Sequence, residues 1–205
     1  MENKYKNFYK ILSEMDESMR FKKFMLFMLA PVVAGYKPSS TITLVKKSND
    51  YFEWNKSKEE LLKELNLNYI VLRECSEAKI ILVFNEAKLR ERLKNKDNKN
   101  FLEGLNYDLS LDIFEILLKL KERYNLYHCP HELGIFLGIP VEDVKDFMEC
   151  TEKKCLACGY WKVYNNYDEA IKTFNNYNLV KDRVINLVNN NNDFINIVKE
   201  IKGAA

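Results

Sequence analysis

Both histidines of this 205-residue chain fall within one short stretch, His128-Cys129-Pro130-His131-Glu132. Proline fits immediately before a helix start, which would place His131 and Glu132 in the first turn. The positive end of a helix favours an anion or a thiolate and lowers the pKa of a nearby histidine. Cys129 beside His131 therefore reads as a nucleophile with its base, or His131 as an acid–base group oriented by Glu132. The plainer reading is that His131 caps or packs under the helix while Glu132 complements its dipole.

Cys155-Leu156-Ala157-Cys158-Gly159 is a second source of chemistry. Two cysteines three apart on a turn can bind one face of a tetrahedral metal, and the same spacing suits thiol–disulfide exchange. A complete zinc site needs two more ligands, and only Cys150, Cys129, His128 and His131 are near in sequence. Their spacing is irregular, so an ordinary pair of buried cysteines is the competing explanation. Zinc and haem both stay open as cofactors, with neither favoured.

Two further segments can meet an anion. Val33 to Ser40 is a glycine-bearing loop carrying Lys37, Ser39 and Ser40. Such loops hold phosphate or carboxylate through backbone N–H groups and a lysine charge, although the glycine spacing of a P-loop is missing. Tyr160-Trp161-Lys162-Val163-Tyr164 reads as an aromatic strand, with Trp161 and Val163 on one side and Tyr160, Lys162 and Tyr164 on the other. The stretch Glu132 to Val144 mimics a helix-turn-helix around Gly138. Its second helix offers Glu142, Asp143, Lys145 and Asp146, the wrong charge for a DNA groove, so a packing hairpin is expected.

The elements that must position these residues are mixed. Apolar spacing predicts a helix over 3–29 that stops before Pro31, then a loop to Ser40. Strands are expected at Thr41–Lys46, Tyr69–Leu72 and Ile80–Phe84, the last two as an antiparallel hairpin, with Tyr51–Trp54 as a further pairing segment. Short helices follow at Lys58–Leu65 and, capped by Asn85, at Glu86–Lys94. Residues 94–100 read as a solvated loop. Ser110 is the expected cap of a helix whose face is Ile113, Leu117 and Leu120. Helices at His131–Leu137 and Val141–Cys150 and a final helical stretch from Asp168, interrupted at Asn189–Asn192, complete the chain, with a loose tail from Ile201. The fold class is α+β: a small, mainly antiparallel sheet packed with several helices and a helix-rich C-terminal half. One domain over residues 1–205 is the simplest organisation.

Composition narrows the partners. The 32 basic and 30 acidic residues leave a net charge of only +2, which argues against a nucleic-acid coat. No apolar stretch reaches the length of a membrane span. Phe24 to Ala34, after Lys22-Lys23, imitates a signal-peptide core but sits late and lacks a small-residue cleavage pattern. Five cysteines cannot all pair within one chain, so thiols in a reducing cytoplasm are expected. Oligomeric state is not legible.

Three motifs in order, Leu29 to Ser39, Cys129 to Val144 and Cys158 to Tyr164, together resemble the DUF3793 family, proteins of unknown function from anaerobic, mostly clostridial, bacteria. The resemblance covers nearly the whole chain and implies one cytoplasmic domain. It marks Lys37, His131, Glu132, Gly159, Trp161 and Lys162 as part of the family pattern. In that pattern the position of Cys129 is often aromatic and the cysteines around 150–158 vary, which weighs against a family-wide zinc or thiolate site.

Three functions follow as expectations. The first is a small-anion site, open to catalysis, where the Lys37 loop, the His131–Glu132 helix start and the Lys162 strand converge, with Ser39, Trp161 and Tyr164 as further ligand contacts. The second is a metal- or haem-handling protein using His128, His131 and Cys129, Cys150, Cys155 and Cys158. The third is an interaction or regulatory protein without chemistry.

Overall fold

The structure is a computed structural model describing residues 2–149 and 152–203. The first apolar stretch forms two helices, α1 (Glu2–Ser13) and α2 (Glu17–Val33), rather than one. The break falls at Asp16, whose carboxylate accepts the Met19 N–H at 3.0 Å and caps α2. Helix α2 also runs past the stop expected at Pro31. The absent N–H falls in the last turn, where little helix remains to be broken. Ala34 N–H still donates to the Ala30 carbonyl at 2.9 Å, and the Pro31 carbonyl accepts from Lys37 N–H at 2.9 Å.

Strands β1 (Ser39–Val45), β2 (Asn68–Glu74) and β3 (Ala78–Phe84) form an antiparallel sheet in the order β1-β3-β2, and β2–β3 is the hairpin that the two β-branched runs predict. The supposed strand at Tyr51–Trp54 lies instead in the first turns of α3 (Asn49–Leu65). Ser48 Oγ accepts the Tyr51 N–H, and Trp54, Leu61, Leu62 and Leu65 are buried at helical spacing.

Alternate residues of β3 divide the core. Leu82 and Phe84 pack with α4 (Glu86–Lys94), α5 (Lys96–Glu103), α6 (Ile113–Tyr127) and the pair α7 (Leu133–Phe136) and α8 (Val141–Met148). Ile81 and Val83 pack on the opposite face with α1, α2, α3, α9 (Tyr167–Asn189) and α10 (Phe194–Lys202). Asn85 caps α4 as expected, its side chain accepting the Lys88 N–H at 3.1 Å. The polar stretch expected as a loop is α5, because Asn95 Oδ1 accepts the N–H groups of Asp97 and Asn98. The cap of α6 is Asp112, in a reciprocal capping box with Glu115, while Ser110 bonds Asp108. The tail is docked as far as Lys202: Ile201 is fully buried, and Lys202 Nζ donates to the Glu64 carbonyl at 2.8 Å. The architecture is α+β, a small antiparallel sheet among many helices. No helix among the described residues is long and apolar enough to cross a membrane.

Candidate functional site

The aromatic segment is a hairpin rather than one strand. Two-residue strands β4 (Ala157–Cys158) and β5 (Lys162–Val163) pair across a turn in which the Gly159 N–H donates to the Trp161 carbonyl at 3.0 Å. Val163 is buried against α9 and Trp161 packs on the same cluster, the common side that alternation gives the two, while Tyr160, Trp161 and Lys162 all line one cavity because the chain is turning. Gly159 lets the turn approach α9: a Cβ there would lie 2.4 Å from Phe174 Cε2.

Asp143, in the first turn of α8, fastens this hairpin. One carboxylate oxygen accepts the Trp161 Nε1–H at 2.8 Å. The other accepts the backbone N–H groups of Tyr164 and Asn165, both at 2.9 Å, and the Asn165 side-chain amide at 3.1 Å. Asp146 adds a second tie through Asn165 Nδ2 and Lys153 Nζ, each at 2.7 Å, and these bonds hold its carboxyl below the usual range. By sequence Asp143 is only an acid unsuited to a DNA groove. Its partners are 18 to 22 positions away, beyond any local pattern.

The space between the α7–α8 pair and the hairpin is a cavity of about 250 Å³. Leu133, Leu137, Ile139, Val144 and Phe147 form its apolar wall, and Cys129, His131 and Lys162 border it. The His131 ring meets the Phe147 ring edge-on at 5.2 Å, and Lys162 Nζ stands over the same ring at 5.7 Å. Cation and imidazole thus converge on one aromatic side chain. Gly134 keeps α7 close to α8, since a Cβ there would lie 2.7 Å from Val144 Cγ2.

Glu132 is not brought to His131. Helix α7 has only four residues, and His131 and Glu132 sit in the turn before it, so the dipole argument loses its basis. Glu132 is almost fully buried; its Oε1 accepts from the Tyr107 hydroxyl at 3.2 Å and pairs with Arg123. Burial, then the Glu132 charge, push the Tyr107 hydroxyl strongly upward. Ser39 is also internal, its hydroxyl donating to the Phe136 carbonyl at 2.6 Å. Tyr164 contributes its backbone N–H to Asp143.

Lys37 lies on another side of the wall. Leu137, Ile139, Tyr160 and Trp161 border both the main cavity and a gap of about 20 Å³ that Lys37 and Tyr177 reach. Its loop is pinned where Gly138, at φ +87°, touches Pro38; a Cβ at Gly138 would lie 2.8 Å from Pro38 Cδ. Burial, reinforced by Lys181, brings the Lys37 amine down to about 8. Burial likewise pushes the Tyr177 hydroxyl up to about 12.

Cys129, Cys155 and Cys158 are free and exposed, and Cys155 Sγ donates to the Ala157 carbonyl at 3.1 Å. Cys150 lies outside the described residues. His128 ends α6 at φ +61°. Among the described residues no three His, Cys, Asp or Glu side chains form a group able to hold a metal ion.

Comparison with curated proteins and with solved structures gave no match. A family model described as "Protein of unknown function (DUF3793)" matches residues 25–198, a span that contains the Lys37 loop, the His131 turn, the Asp143 latch and the Trp161 hairpin. The chain belongs to the DUF3793 family.

Proposed function

We propose that the protein binds a small amphipathic anion in the cavity between the α7–α8 pair and the β4–β5 hairpin. Its flat apolar body would lie against Leu137, Val144, Phe147 and Trp161, and its charged group would meet Lys162 and His131. The carrying observation is the shared Phe147 ring, which sets an ammonium and an imidazole at the edge of an otherwise apolar cavity. No carboxylate among the described residues forms an ion pair with Lys162. Asp143 also borders the cavity, but four N–H donors engage its oxygens and satisfy its charge locally.

A cavity of about 250 Å³ is smaller than the ~300–1,000 Å³ of drug-sized sites, which favours a ligand of one or two rings. His131, exposed at the edge, is the side chain available for proton transfer to such a ligand. Glu132 has no part in that step, since Arg123 and Tyr107 occupy it. The odd number of cysteines fits free thiols in a reducing cytoplasm.

Calorimetric titration with 2-naphthoate and with uncharged 2-naphthylmethanol tests the assignment. Lys162→Met is expected to weaken naphthoate about tenfold, roughly one lost charge contact, and to leave the alcohol unchanged. Phe147→Ala should weaken both. No naphthoate binding at millimolar concentration, or equal effects of Lys162→Met on the two probes, contradicts the reading.

A further inference from the structure

Behind Tyr160 lies a second cavity of about 160 Å³, bordered by Lys37 from the α2–β1 loop, Lys181 from α9, Pro31, Thr41 and Tyr160. Lys181 Nζ stands 5.4 Å from the Phe27 ring centroid and 5.3 Å from that of Tyr160, which fixes the ammonium at this wall. Among the described residues no carboxylate pairs with either lysine. Asp182, next to Lys181 in sequence, is taken by Lys4 Nζ at 2.6 Å and by the Tyr5 hydroxyl. Two ammonium groups therefore border one partly desolvated space, and aromatic faces stand only beside Lys181.

Like charges in such a space repel, and an anion of matching charge removes the repulsion. A monoanion would leave one ammonium uncompensated; a dianion would not. We propose that this cavity binds the phosphate-type dianion of a small molecule, Lys37 and Lys181 supplying the two charges and Thr41 a neighbouring hydroxyl. Burial lowers the basicity of both amines, and the Lys181 charge adds to the effect on Lys37, in accord with ammonium groups held without a protein counter-ion. This proposal does not rest on the cavity between the α7–α8 pair and the hairpin, although Tyr160 borders both spaces.

Competitive labelling of the intact chain with trace acetic anhydride near pH 8, read by mass spectrometry, tests it. Labelling at Lys37 and Lys181 is compared with that at exposed Lys56. Millimolar inorganic phosphate is expected to slow labelling of both cavity lysines about fivefold or more relative to Lys56. Acetate and chloride at the same ionic strength should not. Lys181→Met, which keeps an apolar stem over Phe27 and Tyr160, should abolish the protection of Lys37. Absence of protection by phosphate in the unaltered chain overturns the proposal, whatever the variant does. Equal protection by chloride or acetate also overturns it, because either would show screening or a monoanion site.

Discussion

Asp143 is a buried charge and Lys37 a half-buried one, and their situations are opposite. The Asp143 carboxylate accepts four hydrogen bonds, so neutralising it changes the fold rather than the surface. Asp143→Asn turns one acceptor into a donor facing N–H groups and is expected to cost about 2–3 kcal/mol, read as a lower urea midpoint. Lys37 has no such partners, and Lys181, Tyr160 and Tyr177 are the titratable groups on the cavities it borders. Its amine titrates near 8 in the fold and near its ordinary 10.5 when unfolded. Between those values the unfolded chain holds more protons, so stability rises with pH across that window and is lowest, for this group, below about 8. Lys37→Met should therefore stabilise the protein by about 1–2 kcal/mol at neutral pH, the advantage fading as pH approaches 10.5. Parallel pH profiles of urea stability for the two chains would contradict this.

At the scale of elements, the site depends on three close approaches: α7 to α8 at Gly134, the Pro38 loop to Gly138, and the hairpin turn to α9 at Gly159. Gly159→Ala must displace the Phe174 ring, and about 1–3 kcal/mol of destabilisation is expected from overpacking. Gly138→Ala should cost at least as much, because the methyl meets Pro38 and φ +87° disfavours any side chain. Denaturation midpoints of the two variants check both. Elements whose signals are local were legible in the sequence: the β2–β3 hairpin from its β-branched runs, and α4 from Asn85. Tyr51–Trp54 misled because alternating aromatics imitate a strand, whereas the Ser48 cap and the spacing of Trp54, Leu61 and Leu65 make a helix. The spacing over 131–137 predicts nearly two helical turns, whereas α7 has four residues and Glu132 pairs with Arg123.

Across the whole molecule, the sheet separates two cores, and the candidate site lies on the periphery of the second, where α8 meets the hairpin. His131, Trp161 and Lys162 border one cavity, and their closeness was legible because two consecutive motifs supply them. The sequence could not show that Lys37 faces Lys181 instead, because that pairing depends on how α9 crosses α2. Nor could it show Asp143 as the latch. The protein has two tryptophans, and their indole N–H groups should give separate proton resonances. Trp54 is buried among the helices of the first core, while the Trp161 N–H bonds Asp143 at the wall of the cavity. The most direct measurement is a nitrogen–proton correlation spectrum during titration with 2-naphthoate. The Trp161 indole signal is expected to shift saturably while that of Trp54 stays in place, and Lys162→Met should move the midpoint about tenfold higher. A Trp161 signal that does not move, or equal shifts at both indoles, would contradict an amphipathic-anion site at this cavity.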